Sequence, residues 1–257
     1  MQKPDAIVFF DLDGTLLNSQ VEVLPSSIMA INKLHQNNIV AVLSTGRTAD
    51  EVSGIMQKTS IDSIVGMNGQ SVIYKGKKIY SNDIPLSVIK RMIDFSASKG
   101  IPLAFYSDYI RRVSAHDRAT EQLYQCLHQT MPDIDSELYK KVAIQMLLLF
   151  CQNGEDQYPD HFPELQFIRN NPYCVDVFNR DGSKGNGITQ LLSKLKFTDV
   201  PTYAFGDGFN DLEMFATVDH PIAMKNSVEP LKALAEFITD DNDHDGITKG
   251  LQKVGLI

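Results

Sequence analysis

Basic charge is in short supply in this sequence. Its 24 lysines and arginines face 32 aspartates and glutamates, a formal net charge of -8. That balance argues against nucleic acid or an anionic membrane as the main partner. Cysteine is scarce as well. Cys126, Cys151 and Cys174 are odd in number and form no Cys-x-x-Cys pair, so they read as reduced residues of a cytosolic protein rather than a disulfide framework. Long apolar runs are missing too. The longest, residues 142–151, contains Gln145 and is too short to span a bilayer. The apolar stretch near the N-terminus is short and runs straight into Asp11, so no signal peptide is expected. The sequence has no internal repeat and no low-complexity segment.

What is present suffices for a folded protein. Hydrophobic residues make up 43% of 257, enough for a sizeable core, and 22% charged residues argue against disorder. Residues 6–10 are apolar without helical period and read as a buried parallel strand. Pro25 and Ser26 open a helix with Ile28, Ile31 and Leu34 at helical spacing. Strands follow at 39–43 and 64–67, with a short helix at 49–56 between them and a hairpin at 71–80 after them. This alternation is the signature of a doubly wound sheet. The texture then changes. A helix after Pro85, short strands at 103–106 and 111–114, a helix at 116–128, a strong strand at 142–150, and strands at 165–169 and 174–178 form a mixed, mostly antiparallel block. Alternation returns with a helix at 183–195, a strand at 202–205, a helix at 211–215, a strand at 221–224, a helix at 228–237 and a last helix from Gly246. The expected fold is α/β: a doubly wound, mostly parallel, Rossmann-like core made of residues 1–82 and 181–257, with an α+β domain inserted at 83–180.

The chemistry gathers at strand ends. The stretch FFDLDGTLL, Phe9 to Leu17, puts Asp11 and Asp13 where the first strand gives way to a loop. In open α/β sheets this edge is where ligands bind. Two like charges there are expensive unless a cation or hydrogen bonds compensate. Thr45 and Gly46 end the second strand, and the strand at 202–205 runs into GDGFND with Asp207 and Asp211. Lys184, in GSKGNGI, opens the helix after the insertion. An oxygen-rich set of this kind suits magnesium.

These four stretches, in order, resemble the four motifs of the haloacid dehalogenase-like phosphohydrolase superfamily. Carried over residue by residue, the resemblance implies a catalytic group of Asp11 as nucleophile, Asp13 as general acid/base and Lys184. It implies substrate binding by Leu12, Thr45, Gly46, Lys184 and Asn210. It implies a Mg2+ ion held by Asp11, the Asp13 backbone carbonyl and Asp207, with Asp211 in support. The insertion between second and third motifs, the MNG of Met67 to Gly69 and the ending DNDHDGITKGL resemble the Cof-type branch. That branch implies hydrolysis of sugar phosphates or other small phosphorylated metabolites, with the insertion as its cap domain. Gly208 departs from it, standing where that branch commonly has Asn.

Arg47 stays open between a substrate or cap contact and a structural salt bridge, and Asn68 between lining the site and shaping a turn. In the insertion, Arg111, Arg112, His116 and Arg118 are candidate substrate contacts. A solvated charged face accounts for each, and none is included in the site. Asp241, Asp243, Asp245 and Gly246 imitate the opening of a calcium loop, but Gln252 stands where the bidentate Glu belongs. A phosphotransferase or mutase on the same scaffold, and a non-catalytic phosphometabolite binder, are the rival readings.

Overall fold

The computed structural model describes residues 3–126 and 129–257. The chain divides into two compact units. One joins the residues up to Tyr80 with Ser183–Ile257, and the other is Ser81–Gly182.

The first unit is built on an eight-stranded sheet. Its strands run in the order Phe237–Ile238, His220–Ala223, Thr202–Gly206, Ala6–Phe10, Ile39–Ser44, Ile64–Gly66, Ser71–Tyr74 and Lys77–Ser81. The first six are parallel, and Ser71–Tyr74 turns antiparallel to Ile64–Gly66. The lack of period in the first strand now has its cause. Ala6, Val8 and Phe10 face a core with Ala30, Ile31 and Leu34 of the helix Pro25–Gln36 and Ile247 and Leu251 of Gly246–Lys253. Ile7 and Phe9 face a second core with Ile188 and Leu191 of Lys184–Leu195 and Met214 and Phe215 of Leu212–Thr217. Both faces of the sheet are covered, so both parities must be apolar. In register, Phe9 lies between Val42 and Ala204. The three strands that carry Asp11, Thr45 and Asp207 at their ends are therefore neighbours.

The second unit carries a five-stranded antiparallel sheet in the order Arg111–Val113, Leu103–Tyr106, Met146–Leu149, Cys174–Asn179, Leu165–Asn171. The helix Leu86–Ala97 supplies Val88, Ile89 and Met92 to its own core, beside Phe105, Leu147 and Val177.

Several elements differ from the sequence reading. The helix expected at 49–56 is Ser53–Thr59, because Thr48 and Glu51 bond each other's backbone N–H groups and hold a separate turn before it. The strand expected at 142–150 shrinks to Met146–Leu149; Val142 closes a turn onto the Leu138 carbonyl instead. The helix expected at 228–237 is only Glu229–Lys232, and Phe237 leaves it to pair as an edge strand with Ile222. The helix expected at 116–128 is Arg118–Cys126, started by Asp117, whose carboxylate accepts from the Thr120 N–H at 2.8 Å. Residues 127–128 lie outside the described residues. Among the described residues no helix is long and apolar enough to cross a membrane, and the three cysteines are free. The acidic loop near the C-terminus is a tether: Asp243 accepts from Ser19 and Asp245 from Ser26.

Candidate active site

Asp11 sits one residue beyond its strand, and its N–H still bonds the Phe205 carbonyl at 2.9 Å. That extra rung fixes where its carboxylate begins. Asp11, Asp207 and Asp211 each offer a carboxylate oxygen, and these oxygens lie within 4.8 Å of one another. Lys184 is the first residue of its helix and its side chain is 0% exposed. Its ammonium donates to Asp11 Oδ1 and, at 2.6 Å, to Asp211 Oδ1. Ser183 caps the helix by accepting from the Asn186 N–H at 3.0 Å. Asp211 also holds its own loop: its second oxygen accepts from the N–H groups of Asp207 and Gly208 at 3.0 and 2.9 Å.

The electrostatics follow from this crowding. Burial pushes the Asp11 carboxyl well above the usual carboxylate range. Lys184 opposes the rise, and Asp211 and Asp207 add to it. Burial raises Asp207 as well, against the hydrogen bond that Thr15 donates to it at 2.8 Å. At Lys184, burial acts to lower the pKa, but the charges of Asp11 and Asp211 outweigh it and hold the ammonium above the ordinary lysine value. Three carboxylates thus face one ammonium in a space largely closed to water. A divalent cation with oxygen ligands fits the remaining charge, and this hard donor set suits magnesium or a cation like it.

Backbone shape protects the cluster. Gly14 has φ +84°, and a β-carbon there would run into the Asp207 carboxylate. Asn226 braces the same turn by donating to the Gly14 carbonyl at 2.8 Å. Gly14→Ala is expected to displace Asp207 and lower kcat/KM about 10²-fold, since small misplacements in a site have effects of that size. Steady-state turnover checks this, with circular dichroism to show that the fold persists.

The other expected residues fall around this centre. Leu12 is buried in the core, so only its backbone is at the strand end. Thr45 is buried and its hydroxyl accepts from the Arg47 N–H at 3.1 Å, leaving the O–H to donate elsewhere. The Asp13 carboxylate is not one of the three that converge. Its side chain is 55% exposed and takes a two-pronged ion pair from Arg47, with Nε at 2.9 Å from Oδ2. Arg47 therefore forms the salt bridge that the sequence left open. Asn210 Nδ2 donates to Asn68 Oδ1 at 3.2 Å, so Asn68 both shapes a turn and reaches the site. The sequence reading missed Thr15, although a hydroxyl directly after the Asp-x-Asp-Gly turn was a usable signal. It also underrated Asp211, which grips the buried lysine. In the second unit Arg111 bonds Gln129 and His116 the Pro132 carbonyl.

Comparison with known proteins gives this geometry a context. A family model described as haloacid dehalogenase-like hydrolase matches residues 8–251. A Bacillus subtilis (strain 168) relative named "Putative phosphatase YkrA" is 32% identical over 253 residues, covering 98% of each chain. The crystal structure of a hypothetical protein from Geobacillus kaustophilus HTA426 superposes with a TM-score of 0.94 at 34% identity, over 98% of this chain and 99% of the other. The sugar phosphatase BT4131, described as subclass IIB of its superfamily, gives a TM-score of 0.83 at 27% identity, over 98% and 100%.

Proposed function

We propose that this chain, which belongs to the haloacid dehalogenase-like hydrolase family, is a magnesium-dependent phosphatase. Its substrates are small phosphate monoesters, sugar phosphates or related metabolites, and the reaction passes through an aspartyl-phosphate on Asp11. The convergence of Lys184 with Asp11 and Asp207, at the ends of adjacent strands, and with Asp211 in the turn that follows carries this reading. The phosphatase names of YkrA and BT4131 support it.

The side chains have a coherent division of work. An Asp11 carboxylate oxygen attacks phosphorus, and the bond to the ester oxygen breaks. Released from its Arg47 ion pair and carrying a proton, Asp13 gives that proton to the departing oxygen, then takes one from water as the water attacks the phosphoryl-aspartate. The bond between Asp11 and phosphorus breaks, and inorganic phosphate leaves. Each approach of carboxylate to phosphate meets repulsion of roughly 4 kcal/mol per charge pair at ~4 Å in a partly screened site. Lys184 opposes that repulsion, while the Thr45 hydroxyl, the Gly46 N–H and the Asn210 amide hold phosphoryl oxygens. The carboxylates of Asp11 and Asp207, with the Asp13 carbonyl, would hold the cation, and Asp211 supports them. When bound, the cation supplies positive charge that favours the developing negative charge on the phosphoryl oxygens. In this reading the sheet unit is the catalytic core, and Ser81–Gly182 is a cap that selects the substrate and excludes water. The partner is a small phosphorylated metabolite, and the protein works in the cytoplasm.

The test is turnover of a generic aryl phosphate and of a panel of sugar phosphates with magnesium present. Release of inorganic phosphate to water is the expected result. Transfer to an acceptor sugar that outruns release to water would replace the hydrolase with a phosphotransferase. Tight binding across the panel with no turnover would replace it with a binding protein. Undiminished turnover after chelation would remove the cation from the reading.

A further inference from the structure

We infer that Asn68 is a positioning residue of the phosphoryl site, acting through Asn210; the inference rests on the function proposed above. Asn68 lies in the short turn Met67–Gly69 with φ 51° and is 4% exposed. Met67 before it also has a positive φ, 50°. Two consecutive non-glycine residues in the left-handed region are uncommon, and such backbone persists only where its surroundings fix it.

The surroundings here are the proposed phosphate-binding segments. The Asn68 N–H donates to the Thr45 carbonyl and the Met67 N–H to the Arg47 carbonyl, both at 3.0 Å. Gly69 packs so closely on Ser183, the cap of the Lys184 helix, that a β-carbon would overlap the Ser183 carbonyl oxygen. A β-carbon at Gly46 would lie 3.3 Å from Asn68 Nδ2. The turn is thus clamped to the Thr45 loop on one side and to the lysine helix on the other. From this rigid seat the Asn68 side chain reaches out and accepts from Asn210 Nδ2 at 3.2 Å, across 142 positions of sequence.

Asn210 needs such a partner. It is exposed, in a one-turn segment, Phe209–Asp211, whose anchor is the neighbouring Asp211. An exposed asparagine on a short turn samples several rotamers, and ordering it on phosphate binding weakens that binding. The bond to Asn68 uses one N–H of the Asn210 amide and fixes the amide plane. The other N–H is then held in one direction, ready for a phosphoryl oxygen. Asparagine suits position 68 on both counts, because it tolerates the left-handed backbone and carries an acceptor at short reach.

The test is a double-mutant cycle read on inorganic phosphate binding by calorimetry with magnesium present, and on kcat and KM for an aryl phosphate. Asn68→Gly keeps the positive φ and removes the acceptor. It is expected to weaken phosphate binding and raise KM about tenfold, with little change in kcat. Asn210→Ala is expected to lose at least as much in the native background and almost nothing more when added to Asn68→Gly. Asn68→Asp keeps the turn preference and an acceptor oxygen. In that background Asn210→Ala should again weaken binding as it does in the native protein, whatever the added charge does by itself. Additive losses in the glycine background, or no loss from Asn68→Gly, would overturn the inference and leave the phosphatase reading standing. Failure of the native protein to bind phosphate would overturn the inference. Phosphate binding with a coupled cycle but no turnover would reject the phosphatase reading alone.

Discussion

Asp11→Asn is expected to lower kcat by about 10⁴-fold or more, the scale seen when an enzyme loses the residue that forms its covalent intermediate. The amide has nearly the shape of the carboxylate and keeps an oxygen for the Lys184 ammonium, so the geometry around position 11 should survive. What disappears is the proposed nucleophile. Stability should move the other way. Burial and the nearby Asp211 and Asp207 charges already disfavour the ionised Asp11, and a neutral amide escapes that cost. The variant is therefore expected to melt no lower than the native protein when divalent cations are chelated. Added cation should stabilise it less than it stabilises the native protein, because one of the carboxylates proposed to hold it is gone. Steady-state turnover and thermal melts with and without magnesium check both halves. More than a hundredth of native turnover in the purified variant would remove Asp11 from the nucleophile's role.

How far the sequence alone could go depended on the range of the interaction. The strand Ala6–Phe10 was legible because both its faces are buried, which leaves an apolar run with no period. The parallel sheet followed from the alternation of such runs with amphipathic helices. Phe237 was misread because its partner, Ile222, is on another strand, and pairing there outweighs the helical pattern of 228–237. The candidate site shows the same divide. Asp11 and Asp207 announce themselves as charges at the ends of apolar strands. Lys184 carries no local mark of burial. Its place comes from Gly69 packing on Ser183, a contact between segments more than a hundred residues apart. Only the resemblance of the four stretches, taken as a set, singled it out. The ties from Arg47 to Asp13 and from Asn68 to Asn210 had no local signature at all, which is why both residues stayed open until the chain was folded.

Lys184→Met separates the two services this side chain performs. Methionine has a similar length and fills the buried space, so packing is nearly conserved. The ammonium is lost, and Asp11 and Asp211 are left facing each other without it. Removing one partner of a buried ion pair costs about 3–5 kcal/mol, because the other charge stays buried and uncompensated. The variant should therefore melt roughly 10 °C below the native protein when cations are chelated, at about 2–4 °C per kcal/mol for a protein of this size. This is the opposite sign to Asp11→Asn, although both substitutions break the same pair. The asymmetry arises because one change removes a surplus negative charge and the other removes the one ammonium that, among the described residues, bonds these carboxylates. Saturating magnesium should restore part of the lost stability, since a cation offsets the same excess charge. Turnover should stay low, by about 10³-fold or more, because in the proposed mechanism positive charge from a cation does not replace the Lys184 donor to the phosphoryl group. Melts and turnover measured over one magnesium titration give both readings. A variant that melts like the native protein under chelation would show that Lys184 does not balance the carboxylates. Native turnover at saturating magnesium would show that balancing charge is all it does.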